Sequence, residues 1–437
     1  MAGQRSTTEF SVPRSKPANL FKFTSIIAVF VILVSIAGIG SCKASQNRTA
    51  WWQQARFGML ITWGVYSIPA RGEWLMYQEH IPFEEYAQLA EQFNPQDYNP
   101  AQWVAMAKDA GMKYIVITTR HHDGFCLFDS KVSDFTAPKT AAGRDLIAEF
   151  ADACHAAGLR MGFYYSLTDW RFPGVLPHGT RKNDATYKKL VEQAHAQVRE
   201  LLTNYGTVDI LWYDMLMPYD PVLWRSKELN AMARKLQPNI IINDRAGVPG
   251  DFATPENVVK AQPGPWESCY PMNRTWGYAR YDRNYKSVNE ILRLLGSCAS
   301  QNGNFLLSVA PDADGRFPIE AVERLRSIGQ WMRVNGKAIY GAGPSPIGDP
   351  NLGLETQVGD KVYFLIQRWP GSTVPFAWCG SKVKSARLLA NGQAARIEQK
   401  GDRVWLHDLP EYPMDPYLNV IELTFEGQPR ASQPPYR

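Results

Sequence analysis

Two carboxylate residues stand where parallel α/β proteins present their catalytic groups. Asp214 ends the apolar run at residues 208–213, and Glu267 follows Trp266 in a later segment. The carboxyl ends of barrel strands face the active site, so both side chains are expected at one mouth. Two carboxyl groups about 5–5.5 Å apart can hydrolyse a glycosidic bond, one as nucleophile and the other as general acid/base.

Polar and aromatic side chains also follow the other predicted strands. His121 and His122 follow the second strand, and Arg245 follows the fifth. An isolated His pair is more often buried in a core, but several strand ends that carry such groups together favour one functional site. Adjacent strand residues point to opposite faces, so the run His121-His122-Asp123 is not a metal site, and neither metal nor cofactor is expected. Further strand ends supply Trp63, Tyr164 or Tyr165, and Trp212.

The two carboxylates need opposite protonation states. A nucleophile must stay ionised, which nearby His and Arg donors favour, and we assign this role to Asp214. A general acid needs a raised pKa, which an apolar wall such as Trp266 produces by desolvation. We therefore assign the acid/base role to Glu267.

The elements that position these residues alternate between strand and helix. Strict alternation gives a parallel sheet, either open or closed. Because no G-x-G-x-x-G loop or Walker motif is present, we predict a (β/α)8-like, TIM-type barrel over residues 51–343. Strands are predicted at 57–61, 113–118, 159–165, 208–213, 240–242 and 305–309, with one more that ends at Trp266-Glu267, and helices at 101–110, 146–157, 186–204, 222–236, 288–299 and 319–335.

Short strand patterns without helices follow the barrel. Turn residues such as Asn391-Gly392 separate these runs, as in antiparallel sheets. We therefore predict a small antiparallel β-sandwich domain over residues 344–427, followed by a Pro-rich tail at 428–437. The strands are expected at 361–367, 383–389, 395–398, 403–406 and 418–424.

The N-terminal 50 residues read as a targeting segment. Basic residues precede the uncharged run at 23–41, and Cys42 follows Gly40-Ser41. This order predicts a secretory signal with a bacterial lipoprotein site, where the Cys42 thiol would be acylated. An uncleaved membrane helix is the alternative, because a run of about twenty residues could just span a bilayer. In either case, we expect the body to be exported, periplasmic or at the cell surface, and attached to the membrane.

Composition excludes some partners. The net charge is +5, with no basic cluster in the body of the chain, so nucleic acid is not an expected partner. Aromatic residues make up 12% of the chain, which suits either a sugar-binding cleft or an aromatic core. The cysteines have neither C-x-x-C pairs nor zinc-site spacing. The oligomeric state stays open.

Many motifs spread from Trp51 to Gly343 share one resemblance. Together they resemble the α-L-fucosidases of glycoside hydrolase family 29, in an exported, lipoprotein-like bacterial form. This family has a (β/α)8-like barrel with a C-terminal β-sandwich, in agreement with the prediction above. The matching segments are 56–59, 63–67, 121–125, 162–166, 211–214, 243–245, 266–269, 276–278, 304–307 and 335–341.

The resemblance implies a retaining exo-α-L-fucosidase that removes terminal α-L-fucose from glycans without a metal. Its covalent glycosyl intermediate would form on Asp214. The acid/base varies in position within the family and is carried to Glu267, with Glu73 in reserve. Residues implied to bind the sugar are His121, His122, Tyr164, Trp212, Arg245 and Trp74.

Two departures from the family pattern leave alternatives open. Thr62 stands where a sugar-binding His usually precedes Trp-Gly, and Met215 replaces the usual Gly after the nucleophile. Thr is shorter and uncharged, so the chain could be a related α-glycosidase with a shifted sugar specificity. A catalytically impaired carbohydrate-binding barrel is the third hypothesis. The presence of both Asp214 and Glu267 argues against it.

Overall fold

The computed structural model describes residues 48–172, 184–214, 219–347 and 351–432. The predicted signal, including Cys42, lies outside the described residues, as do Met215 and the last five residues of the predicted tail. Within the described residues, no helix has the length and apolar character needed to cross a membrane. Residues from Arg48 onward belong to one compact unit.

Seven parallel strands form the first sheet, in the order β5-β4-β3-β2-β1-β7-β6. The segment 252–256 lies between the two edge strands, with parallel bridges from Phe252 to Asn243 and from Ala253 to Trp266. This irregular segment closes the sheet, which confirms the predicted barrel. The strands are β1 Phe57–Ile61, β2 Tyr114–Arg120, β3 Arg160–Ser166, β4 Ile210–Asp214, β5 Ile241–Ile242, β6 Glu267–Pro271 and β7 Asn304–Val309.

Helices follow most of the barrel strands, and an additional group of short helices follows β1. The short helices belong to the long loop that carries Glu73 and Trp74, and the sequence analysis did not predict them. The helices are Leu75–Gln78, Phe83–Tyr86, Gln88–Gln92, Pro100–Asp109, Leu146–Ala157, Asp184–Asn204, Ser226–Leu236, Val288–Ser300 and Ile319–Asn335, with 3-10 turns at Val65–Ser67, Ala137–Lys139 and Gly336–Ala338.

Local signals explain the best-predicted element, the helix Leu146–Ala157. At its start, the Asp145 side chain accepts hydrogen bonds from the backbone N–H groups of Ile147 and Ala148, at 3.0 and 2.9 Å. At its end, Gly158 adopts a left-handed conformation with φ of 62°. A side-chain acceptor at the first position and a glycine after the last are the strongest helix boundaries.

The C-terminal strands form two antiparallel sheets, ordered β12-β15-β10-β9-β8 and β11-β14-β13. Apolar residues from both sheets, including Phe364 and Leu406, share one core, as predicted for a sandwich. The Trp331 indole donates to the Leu418 carbonyl at 2.7 Å and joins these sheets to the barrel. The strands are β8 Gly343–Pro344, β9 Gly353–Val358, β10 Lys361–Ile366, β11 Val374–Phe376, β12 Val383–Leu388, β13 Arg396–Lys400, β14 Arg403–His407 and β15 Asn419–Phe425.

Candidate active site

Asp214 is the last residue of β4, and neighbouring elements supply donors to both of its carboxylate oxygens. Arg245 Nη1, from the loop after β5, donates to Oδ1 at 2.7 Å. The Tyr164 hydroxyl, from β3, donates to Oδ2 at 2.6 Å. The Asp214 side chain is 19% exposed, so it is oriented by fixed donors and still reaches the pocket.

These donors set the charge of Asp214. Burial raises the pKa of the Asp214 carboxyl, but the Arg245 guanidinium and the hydrogen bond from Tyr164 more than offset this and lower it to about 2. Burial also lowers the pKa of His122 to about 4, so this ring is neutral at neutral pH. Arg245 is therefore the positive charge that keeps Asp214 ionised.

The position of the proton on His122 follows from its hydrogen bonds. His122 Nδ1 lies 2.7 Å from Ser166 Oγ, and the same Oγ lies 2.7 Å from the Thr168 carbonyl oxygen. A carbonyl cannot donate, so the Ser166 hydroxyl donates to Thr168 and accepts from His122 Nδ1–H. Nε2 is then an acceptor that lies 3.9 Å from Asp214 Oδ2. An acceptor in this place suits the hydroxyl group of a sugar.

His121 lies beside His122 on the same wall. Its ring is parallel to that of Tyr164, with centroids 5.8 Å apart, and meets Tyr66 edge-on. Burial lowers the pKa of His121 well below its usual range, so this ring is also neutral. Its Nδ1 atom is buried without a hydrogen-bond partner among the described residues. The His121 ring lines the cavity described next.

These groups surround one cavity of about 170 Å³. This volume is below the range of roughly 300–1,000 Å³ that drug-sized ligand sites occupy, so the cavity suits a single small residue of a ligand. Aromatic faces and polar groups alternate around it, a mixture that fits the apolar C–H faces and hydroxyls of a sugar. It is lined by Leu60, Thr62, Trp74, His121, His122, Tyr164, Trp212, Asp214, Arg245, Glu256, Cys269 and Trp276.

Glu256 is the second carboxylate of this cavity. It is not among the catalytic residues predicted from the sequence. Arg245 Nη2 donates to Glu256 Oε2 at 2.9 Å, so one guanidinium binds both Glu256 and Asp214. Glu256 is 39% exposed, twice as much as Asp214, and is open to solvent protons. It ends the irregular segment 252–256, where a parallel bridge to Cys269 of β6 fixes its position.

Glu267 does not lie at the mouth of the barrel, so its predicted position is wrong. It begins β6 rather than ending a strand, and it pairs with Asn304, the first residue of β7. The reason is the Gly264-Pro265 turn, in which Gly264 has φ of 92° and the strand starts only afterwards. Glu267 is 1% exposed and does not line the cavity. Its carboxylate accepts hydrogen bonds from the Tyr114 hydroxyl and from Trp212 Nε1.

Of the remaining predicted site residues, one lines the cavity and two do not. Trp74 lines the cavity and meets the ring of His122 edge-on at 5.4 Å. Glu73 is buried and accepts a hydrogen bond from the Gly277 N–H at 2.6 Å, outside the cavity wall. Trp63 is not a cavity residue. It packs in the core against Trp103, because its ring points away from the barrel mouth into the surrounding helices.

Thr62 lies at the end of β1 and does line the cavity. Its hydroxyl is 3.1 Å from Ser308 Oγ on the neighbouring β7. The side chain therefore keeps a hydrogen-bonded place in the wall, but it brings no charge. The departure from the family pattern falls on the ligand-facing surface.

The described ranges contain no group of three or more His, Cys, Asp or Glu side chains that could hold a metal ion. The five cysteines in these ranges are buried and form no disulfide. The chemistry available at this site is that of two carboxylates, one arginine and neutral histidines.

A closed parallel barrel with two carboxylates that face one small aromatic cavity is typical of a glycoside hydrolase. The family model described as alpha-L-fucosidase matches residues 40–337. The chain belongs to the α-L-fucosidase family.

Individual relatives agree with this assignment. Human plasma alpha-L-fucosidase is 30% identical over 84% of this chain and 87% of its own length. Among solved structures, alpha-L-fucosidase isoenzyme 1 from Paenibacillus thiaminolyticus is 42% identical, with a TM-score of 0.82 over 88% of this chain and all of that one. A GH29 alpha-L-fucosidase from Bacteroides thetaiotaomicron was trapped as a covalent intermediate with 2-fluoro-fucosyl fluoride, using a glutamate-to-glutamine mutant. It is 26% identical, with a TM-score of 0.77 over 86% of this chain and 95% of its own.

Proposed function

We propose that this chain is a retaining exo-α-L-fucosidase in which Asp214 is the nucleophile and Glu256 the acid/base. The observation that carries the proposal is the Arg245 guanidinium, which binds both carboxylates at the wall of one small cavity. Glu256 takes the role first given to Glu267, because Glu256 faces the cavity and Glu267 does not.

The first step forms a glycosyl ester. A carboxylate oxygen of Asp214 attacks the anomeric carbon while Glu256 donates its proton to the glycosidic oxygen, and the aglycone leaves as an alcohol. In the second step, Glu256 removes a proton from water, whose oxygen attacks the same carbon and releases Asp214. Two inversions give fucose with the configuration of the substrate. The exposure of Glu256 supports its role, because the water of the second step must reach it.

The size of the cavity supports exo action on a terminal sugar. A space of about 170 Å³ suits one sugar residue. His122 Nε2 is an acceptor for one hydroxyl of that sugar. Trp74 and Trp276 provide aromatic surface for the apolar side of the ring.

Azide rescue tests both roles in one design. Wild-type enzyme should hydrolyse an aryl α-L-fucoside. Asp214→Ala should be inactive until azide is added, and should then give β-L-fucosyl azide, since azide attacks from the nucleophile's side. Glu256→Ala should give α-L-fucosyl azide, because azide attacks the glycosyl ester. The exposed Glu426→Ala serves as control and should match wild type. Ordinary activity in Asp214→Ala, or the same azide anomer from both variants, would overturn the assignment.

A second candidate is a related α-glycosidase with shifted sugar preference. It is favoured by Thr62, a neutral side chain in the cavity wall. Comparison of kcat/KM over a panel of aryl α-L- and α-D-glycosides separates the two. A preference for any other glycoside over the α-L-fucoside would favour this second candidate, and the same panel excludes a pure carbohydrate-binding protein once any turnover is seen.

We further propose that the enzyme is exported and attached to the membrane through Cys42. The basis is sequence alone: a basic flank, an uncharged run at 23–41 and small residues before the cysteine. Mass measurement of the mature N-terminus is the test. An acylated Cys42 is expected, and an intact Met1 without acylation would contradict lipidation.

A further inference from the structure

Glu267 is a buried carboxyl group beneath the cavity, with no part in the steps above. It lies at the amino end of β6, while the cavity opens at the carboxyl ends of the strands. A buried carboxylate is costly unless it is hydrogen-bonded, and Glu267 accepts from the Tyr114 hydroxyl and from Trp212 Nε1, the latter at 3.1 Å. The bond to Trp212 connects this carboxyl to the cavity, because Trp212 also lines the cavity wall.

Trp212 in turn contacts both groups that hold Asp214. The Tyr164 ring stacks on it at 5.6 Å with an angle of 16° between the planes, and the Arg245 guanidinium lies 4.5 Å from its ring centroid. Tyr164 and Arg245 donate to the two oxygens of Asp214. A rotation of the indole would therefore move the donors of both oxygens.

We propose that Glu267 is a positioning residue that fixes the Trp212 indole and, through Tyr164 and Arg245, the orientation of the Asp214 carboxylate. This inference rests on the proposed role of Asp214. It predicts a loss in the attack of the nucleophile, rather than in proton transfer to the leaving group. A misplacement of about 1 Å at a reacting group can cost roughly 10²-fold in rate.

Two substitutions of Glu267 distinguish its role as a hydrogen-bond acceptor for Trp212 from the role of its negative charge. Glu267→Met keeps the length of the side chain but removes the acceptor for Trp212. It should lower kcat/KM about 100-fold, equally for α-L-fucosyl fluoride, which needs no acid assistance, and for an aryl fucoside with a poor leaving group. Glu267→Gln keeps a carbonyl acceptor and should restore activity to within about threefold of wild type.

Active-site titration with 2-fluoro-fucosyl fluoride distinguishes positioning from folding. The fraction of Glu267→Met that becomes labelled should be complete, with only the labelling rate reduced. Glu422→Met, which removes a buried carboxylate of the β-sheets, is the matched control and should leave the rate per labelled site unchanged. A reduced labelled fraction with a normal rate per site would show a structural role only, and would overturn the proposal.

Other outcomes are equally informative. A loss confined to the poor leaving group, without rescue by Gln, would make Glu267 the acid/base. In a double-mutant cycle, Trp212→Phe and Glu267→Met should be non-additive, and full additivity would contradict action through the indole. If wild type itself fails to hydrolyse α-L-fucosyl fluoride, the proposed function fails. Loss only in the variants leaves that function intact.

Discussion

Arg245 should control the pH range of activity, because its positive charge lowers the pKa values of Asp214 and His122. It is a main cause of the low pKa of Asp214, about 2 against an ordinary 3.8, and it lowers the pKa of His122, which is about 4. For Asp214 the difference corresponds to roughly 2–3 kcal/mol in favour of the ionised form. We choose Arg245→Met, which keeps most of the side-chain volume and removes the charge.

The sign of the effect follows from which forms are active. Asp214 must be ionised and His122 must be neutral, so activity is lost as the pH falls through their pKa values. In wild type, the acid limb of kcat/KM should lie near pH 4, where His122 becomes protonated. Without Arg245, burial still raises the pKa of Asp214, and both values rise. The limb should therefore move about one pH unit higher, since the loss of a nearby opposite charge raises the Asp214 pKa of about 2 by up to roughly 3 units, to just above the wild-type limb near pH 4.

The assay is kcat/KM for an aryl α-L-fucoside between about pH 3 and 8, a range that spans the His122 pKa of about 4, on enzyme whose folding is checked at each pH. The plateau should fall roughly 100-fold, because both carboxylates lose their common donor. Arg387→Met, which breaks the ion pair with Glu422 in the β-sheets, should leave the limb unchanged. An acid limb of Arg245→Met at the wild-type pH would refute the electrostatic account of the site.

Three further substitutions test neighbouring parts of the site. Tyr164→Phe removes the donor to one oxygen of Asp214 and should lower kcat/KM by about 10- to 100-fold. An unchanged kcat/KM would show that this hydrogen bond does not contribute to catalysis. Ser166→Ala leaves His122 Nδ1 without its partner and should raise KM by about tenfold, with less effect on kcat, whereas a lower kcat at unchanged KM would contradict this role. Trp63→Phe should lower the free energy of unfolding by about 1–3 kcal/mol in thermal melts, because the ring is in the core. A changed KM in Trp63→Phe would instead indicate that Trp63 contacts the sugar.

Strand ends were predictable because burial leaves a clear sequence pattern. Asp214 follows a continuous apolar run that fills a fully buried strand. Arg245 and His122 come directly after similar runs, and parallel strands bring their carboxyl ends to one side of a barrel. The structure brings these three residues together as expected.

Glu256 was missed because no such pattern precedes it. The segment 252–256 contains Pro255, forms isolated bridges rather than a strand, and is followed by Asn257 in a left-handed conformation. The same gap misled the placement of Glu267. The apolar residue Trp266 suggests a strand end, but Gly264-Pro265 just before it marks the start of a strand. The pair Pro255-Glu256, between two predicted strands, is the one sequence signal that could have indicated a functional carboxylate here.

The most direct test of the account is to label the enzyme with 2-fluoro-fucosyl fluoride, digest it and identify the modified peptide by mass spectrometry. Fluorine at C2 slows hydrolysis of the glycosyl ester, so the intermediate should accumulate. We predict one fluorofucosyl group per chain, attached to Asp214. A label on another residue, including Glu256 or Glu267, would contradict the assignment of the nucleophile, and hydrolysis of α-L-fucosides without any labelling would contradict the covalent mechanism.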